Sequence, residues 1–223
     1  WFGVHGAQIS GGFMSVDPNT LRIVDSAGRE RYFHGVNVVY KGPPYVPDTT
    51  HFDPLMSFCE LDAATLADLG LNVIRLGVMW PGVEPQRSMF NQTYLDVIHK
   101  IINMSAAQGI YSLLDMHQDV LSEKFCGEGA PAWAAEPSGN CCFFISLRSF
   151  VYVLLGRTVF PEPITAGFPV DPTTGFPSPS DCARYPWPKY FEAEAVGSAY
   201  QSIYSNKNGL GLAFCMFWLR VRS

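Results

Sequence analysis

Asn72-Val73-Ile74-Arg75-Leu76-Gly77-Val78 and, after a helix-patterned run, Ile110-Tyr111-Ser112-Leu113-Leu114-Asp115-Met116 decide how this chain folds. Both are short, nearly continuous apolar runs, the pattern of strands covered on both faces of a parallel sheet. Between them, residues 92–107 place Leu95, Ile98, Ile101 and Ile102 on one helical face and stop before Gly109. The same alternation recurs upstream. Gly35-Val36-Asn37-Val38-Val39-Tyr40 reads as another strand buried on both faces, and a helix is expected from Leu61 to Leu69, closed by Gly70. Strand, helix, strand, helix, strand is the order of a parallel α/β sheet with right-handed crossovers. Three such units suit the first part of a (β/α)8 barrel. An open doubly wound sheet fits the spacing as well.

Further out the pattern loosens. Residues 21–33 are expected to form a hairpin, Leu21-Arg22-Ile23-Val24 against Arg31-Tyr32-Phe33, around the turn-rich Asp25-Ser26-Ala27-Gly28-Arg29. Trp80-Pro81-Gly82-Val83-Glu84-Pro85 reads as the exit loop of the second strand, and residues 126–186 read mostly as loop, with many prolines. Inside that loop, residues 141–155 are far more apolar than their surroundings, but too short for a membrane span and interrupted by Arg148. They read as a buried helix or strand, as peptide foreign to the fold, or as a membrane-touching loop. Helices are expected from Lys189 to Asn206 and from Leu210 to Leu219, and no fourth buried strand is read after them.

Composition narrows the function. Of 223 residues, 48% are hydrophobic and 16% charged, enough apolar material for a large core and too little charge for disorder. A net charge of −5 argues against a nucleic-acid partner. No glycine-rich phosphate loop and no Gly-x-Ser-x-Gly elbow stand in the sequence, which disfavours a nucleotide enzyme and a serine hydrolase of the α/β type. The six cysteines contain no Cys-x-x-Cys pair, so a zinc ribbon is not expected, and no disulfide pairing is chosen. Asn91-Gln92-Thr93 and Asn103-Met104-Ser105 are N-glycosylation sequons. With the cysteines they point to a secreted or lysosomal route. The chain opens at Trp1 without a leader, which fits a mature secreted protein or a fragment.

In parallel α/β folds, reactive side chains gather where strands end. The first exit offers Asn37 and Lys41, the second Arg75 and Glu84, the third Asp115, His117 and Asp119, followed by Glu123 and Glu128. Arg75 is the sharpest clue. A guanidinium inside an apolar strand is costly unless paired, and the usual partner is a carboxylate held fork to fork. Asp115, His117 and Asp119 would share one face if the strand continued through them. They could bind sugar hydroxyls, do acid–base work, ligate a metal, or simply satisfy one another. Lys41 also reads as a solvated lysine and Glu84 as a loop anchor. Tyr40, Tyr45, Trp80, Trp133 and Trp187 offer stacking surfaces or core packing.

His34 to Lys41, Asn72 to Pro85, Leu113 to Asp119 and residues 168–214 closely resemble the endoglycoceramidase-like branch of glycoside hydrolase family 5. The likeness covers roughly residues 20–140 and 160–218. It implies a (β/α)8 barrel that hydrolyses a β-glycosidic bond of a glycolipid with retention of configuration. Two glutamates would act, an acid/base in an Asn-Glu-Pro motif after the fourth strand and a nucleophile after the seventh, with carboxyls about 5–5.5 Å apart. This sequence has no Asn-Glu-Pro: Glu84-Pro85 follows Val83, Glu136-Pro137 follows Ala135 and Glu162-Pro163 follows Pro161. Residues 1–223 are therefore expected to be the N-terminal portion of the barrel domain, with neither catalytic glutamate and without the C-terminal half-barrel or its β-sandwich domain. Residues 141–158 depart from the family pattern as an atypical apolar insert. By the resemblance, Lys41, His117 and Asp119 hydrogen-bond the sugar next to the scissile bond, and Arg75 supports the nucleophile. No cofactor or metal is implied. The implied partner is a glycolipid or oligosaccharide substrate, met with peripheral contact at a membrane surface, and the sequence sets no oligomeric state. A non-catalytic glycolipid-binding protein and an unstable truncated product are the alternatives.

Overall fold

A computed structural model describes residues 14–137 and 168–221. The apolar run at 141–155 lies outside them. Contacts divide the described chain into two compact units, one of residues 14–83, 90–117 and 219–221, the other of residues 84–89, 118–137 and 168–218.

The first unit opens with β1 (Ser15–Val16) and β2 (Ile23–Val24), which pair antiparallel. The expected partner of Ile23-Val24, residues 31–33, forms no strand. Asp25 organises that segment instead. Its carboxylate accepts from the backbone of Ala27 and Arg29 and from Nε of Arg29 and Arg31, all at 2.9–3.0 Å. Burial alone would raise the Asp25 carboxyl, but these hydrogen bonds outweigh it and hold it well below the usual carboxylate range.

Three parallel strands follow: β3 (Gly35–Val38), β4 (Val73–Gly77) and β5 (Tyr111–Asp115), in the spatial order β3-β4-β5. Helix α1 (Glu60–Asp68) connects the first pair. Asp62 accepts from the Cys59 backbone N–H at 2.7 Å to fix its start, and Gly70, at φ +78°, ends it. Helix α3 (Gln92–Ala107) connects the second pair, starting from the Asn91 cap, whose Oδ1 accepts from Tyr94 N. Leu95, Ile98, Ile101 and Ile102 are buried as the periodicity predicts. Ile74 and Leu76 of β4 are fully buried too, each such side chain adding about 1.5–3 kcal/mol of hydrophobic stabilisation.

Strand β3 is not buried on both faces. Among the described residues it pairs only with β4, and Gly35, Val36 and Asn37 are all exposed. And Trp80–Val83 is not a loop but the short helix α2. It is pinned by Tyr94, whose hydroxyl accepts from Met79 N at 2.9 Å and whose ring lies where a Cβ on Gly82 would come within 2.4 Å.

The second unit contains a 3-10 turn at Glu123–Phe125, helix α4 (Pro179–Cys182) and helix α5 (Glu194–Tyr204); helix α6 (Leu210–Val221) ends the described chain. The single helix expected from Lys189 to Asn206 is broken. Residues 187–192 form a 3-10 turn and Ala193 is extended, so α5 starts only at Glu194. A disulfide joins Cys126 to Cys182, closing a loop across a sequence separation of 56 residues. Chain-entropy arithmetic for a loop of that size gives a stabilisation of about 4 kcal/mol. The double substitution Cys126→Ser, Cys182→Ser is expected to lower the unfolding free energy by up to ~4 kcal/mol in urea titration. An unchanged midpoint would show that the cross-link constrains nothing.

Candidate functional site at the strand ends

The parallel register sets the geometry. Asn37 of β3 stands opposite Arg75 of β4, Arg75 opposite Leu113 of β5, and Gly77 opposite Asp115. Side chains alternate along each strand, so Ile74 and Leu76 enter the core while Arg75 points to the other face. From the middle strand its guanidinium reaches both neighbours. Nη2 lies 2.6 Å from Asp115 Oδ2, and Nη1 donates to Asn37 Oδ1 at 3.5 Å. His117 joins the same carboxylate oxygen, its Nδ1 3.2 Å from Asp115 Oδ2. Four polar groups from three strand ends thus form one cluster within the first unit, centred on Asp115.

The expectation of a buried guanidinium held fork to fork is not met. The Arg75 side chain is 40% exposed and its two arms part, one to an amide and one to a carboxylate. The reason lies in the alternation: the odd positions of β4 face away from the helices, so apolar neighbours in sequence did not mean apolar neighbours in space. Its carboxylate partner stands within this chain, on the adjacent strand. Asp115 is 25% exposed and His117 only 13%, so the histidine is the most enclosed member. Asn37 and Asp115 are legible in the sequence as strand-end groups, but not as partners of Arg75. Counting from the first residue of each strand would have found Asn37, since Asn37 and Arg75 both stand two residues in.

β5 ends at Asp115, so His117 and Asp119 lie beyond the strand and its alternation is not what places them. His117 reaches back to Asp115 from beyond the strand. Asp119 falls in the second unit, where its backbone forms an antiparallel bridge with Glu128. The loop that carries it is demanding. Val120 and Leu121 both adopt positive φ, +53° and +67°, and a Cβ on Gly127 would come within 2.1 Å of the Asp119 carbonyl oxygen. Tyr200 donates to Gln118 Oε1, which also accepts from Leu121 N. Burial, with Tyr204 and Asp119 nearby, pushes the Tyr200 phenol up to about 12, so it stays protonated and available as a donor at neutral pH. Lys41 stands exposed three residues beyond β3. Glu84 is a buried loop anchor in the second unit: Oε1 accepts from Ser88 N at 2.6 Å and its carbonyl accepts from Trp133 Nε1.

Residues 60–140 match the family described as Cellulase (glycosyl hydrolase family 5). The chain is 46% identical to an endoglycoceramidase of Cyanea nozakii and 44% identical to one of Hydra vulgaris, through 93% and 94% of its own length. Residues 60–140 thus match glycosyl hydrolase family 5, and most of the chain is similar to the endoglycoceramidases. The chain spans 38% and 37% of the length of those two relatives. Among solved structures it resembles endo-glycoceramidase II from Rhodococcus sp. in a ganglioside GM3 complex, with a TM-score of 0.57 and 25% identity over 88% of this chain and 37% of that one. The three parallel strands and their helices are accordingly part of a (β/α)8 barrel.

Within these 223 residues, the half-open setting fixes what the central ion pair contributes. Solvent screens such pairs to roughly 0.2–1 kcal/mol, against about 3–5 kcal/mol lost when one partner of a buried pair is removed. A double-mutant cycle of Arg75→Met and Asp115→Ala, read by urea unfolding, is expected to give a coupling of about 0.5–1 kcal/mol that shrinks at high salt. A coupling above ~3 kcal/mol, indifferent to salt, would show the pair to be desolvated.

Proposed function

We propose that this chain forms the strand-end, sugar-binding part of a retaining glycosidase that releases the glycan of a glycolipid by hydrolysing its β-glycosidic bond. The observation that supports this most is the 46% identity to the Cyanea nozakii endoglycoceramidase, which runs through 93% of the chain. The ganglioside GM3 held by the Rhodococcus protein points to a glycosphingolipid as the substrate class.

In such an enzyme one carboxylate attacks the anomeric carbon while a carboxylic acid about 5–5.5 Å away protonates the departing oxygen; water then hydrolyses the glycosyl-enzyme. No residue of this chain is assigned either role. Its own groups bind and position. Arg75, steadied by Asn37 and Asp115, has further N–H donors with which to hold the nucleophilic carboxylate. Asp115 orients the His117 ring through Nδ1. Lys41 donates to, and Asp119 accepts from, hydroxyls of the sugar beside the scissile bond. The protein acts on substrates outside the cytosol, where the Cys126–Cys182 disulfide persists.

The purified 223-residue chain is expected to release no glycan from GM3 or lactosylceramide. Joined to the unmatched remainder of the Cyanea nozakii relative it is expected to do so, and Asp119→Ala in that chimera to lower kcat/KM by ~10–100-fold, the loss of a hydrogen bond tightened in the transition state. Turnover by the isolated chain, or a folded chimera inert on every glycolipid, would overturn the reading.

A further inference from the structure

The two sequons lie on the same helix yet stand in opposite structural settings. Asn91 is the N-cap of α3, in an extended conformation at φ −94° and ψ 95°. Asn91, Gln92 and Thr93 are all exposed. The cap uses only the amide oxygen, Oδ1, which accepts from Tyr94 N at 3.2 Å. The amide nitrogen takes no part in it. Asn103 lies three turns further along the same helix, inside its regular hydrogen bonding. Its side chain is exposed, but the hydroxyl of its sequon is not: Ser105 is 0% exposed. Presenting Asn103 and Ser105 together as an acceptor would require unwinding the last turns of α3 and withdrawing Ile101, Ile102 and Met104 from the core.

We infer that Asn91, and not Asn103, carries an N-linked glycan. The Cys126–Cys182 disulfide is the independent sign that the chain matures in an oxidising compartment, where such modification occurs. In the transfer, Nδ2 of Asn91 attacks C1 of the reducing-end sugar of a lipid-pyrophosphate-linked oligosaccharide. The N–C1 bond forms and the C1–O bond to phosphate breaks. The amide gives up one proton, and the lipid pyrophosphate leaves with the bonding electrons. The product amide keeps its oxygen, so Oδ1 still caps Tyr94 N and the helix start survives glycosylation.

The test is expression of the full chain behind a cleavable leader in animal cells, followed by peptide-N-glycosidase treatment and mass spectrometry. One glycan is expected per chain, lost in Asn91→Gln and in Thr93→Ala and kept in Asn103→Gln. Thr93→Ala removes the sequon while leaving the Asn91 cap, so loss of the glycan in that variant cannot come from a damaged helix start. Intact mass of the Cys126–Cys182 bridge verifies that the chain entered the oxidising compartment. A bridged chain without a glycan at Asn91, or with one that persists in Thr93→Ala, would overturn the assignment, as would a glycan lost only in Asn103→Gln.

Discussion

A single side chain on the middle strand ties the site together. Arg75 stands between two parallel neighbours, and its guanidinium is long enough to reach both, the amide of Asn37 on one side and the carboxylate of Asp115 on the other. That reach exists only in the observed register. Slipping β3 or β5 by one residue would turn Asn37 or Asp115 to the helix-covered face. The core enforces the register from the other side, because Ile74 and Leu76 must both stay under the helices. The polar cluster is thus specified by the packing of groups that never touch it.

How much of this the sequence disclosed depended on how local each signal was. Helix α3 spans the residues its periodicity indicates, because its cap, its apolar stripe and its terminating glycine all lie within one short stretch. Helix α1 and strands β4 and β5 are within a residue or so for the same reason. Burial was harder. Gly35 to Tyr40 is as apolar as a central strand, yet apolarity does not say where in a sheet a strand lies, and among the described residues β3 pairs only with β4. The turn after β2 forms where its residues indicate and Val24 bridges Glu30, but residues 31–33 form no strand because Asp25 draws Arg29 and Arg31 to itself, a competition among side chains that β-propensity does not register.

The second unit was the least legible. Its loop at 118–130 places Val120, a β-branched residue, at positive φ, a conformation no local rule would assign to it. That backbone is held by contacts distant in sequence: the Cys126–Cys182 bridge, and Gln118 receiving the hydroxyl of Tyr200. Asp119 sits at the start of this loop, so its position depends on residues more than sixty places away in the chain that no spacing rule connects to it.

The contrast between the two faces of the parallel sheet explains why the cluster exists at all. On the helix-covered face, Ile74, Leu76 and the α3 isoleucines hold the unit together, and each contributes through burial. On the other face, Asn37 and Leu113 are exposed and Arg75 is half open. Within these 223 residues an ion pair in that setting adds little to stability. Apolar or neutral residues there would fold the same sheet, so folding alone does not account for an arginine flanked by an amide and a carboxylate. In a (β/α)8 barrel the helices lie outside, so the uncovered face is the one turned inward, and its C-terminal rim is where such barrels place their chemistry. The cluster stands at that rim, with His117 the most enclosed of its members. Its composition agrees with the sugar-binding role proposed for it, while the stability of the unit comes from the opposite face.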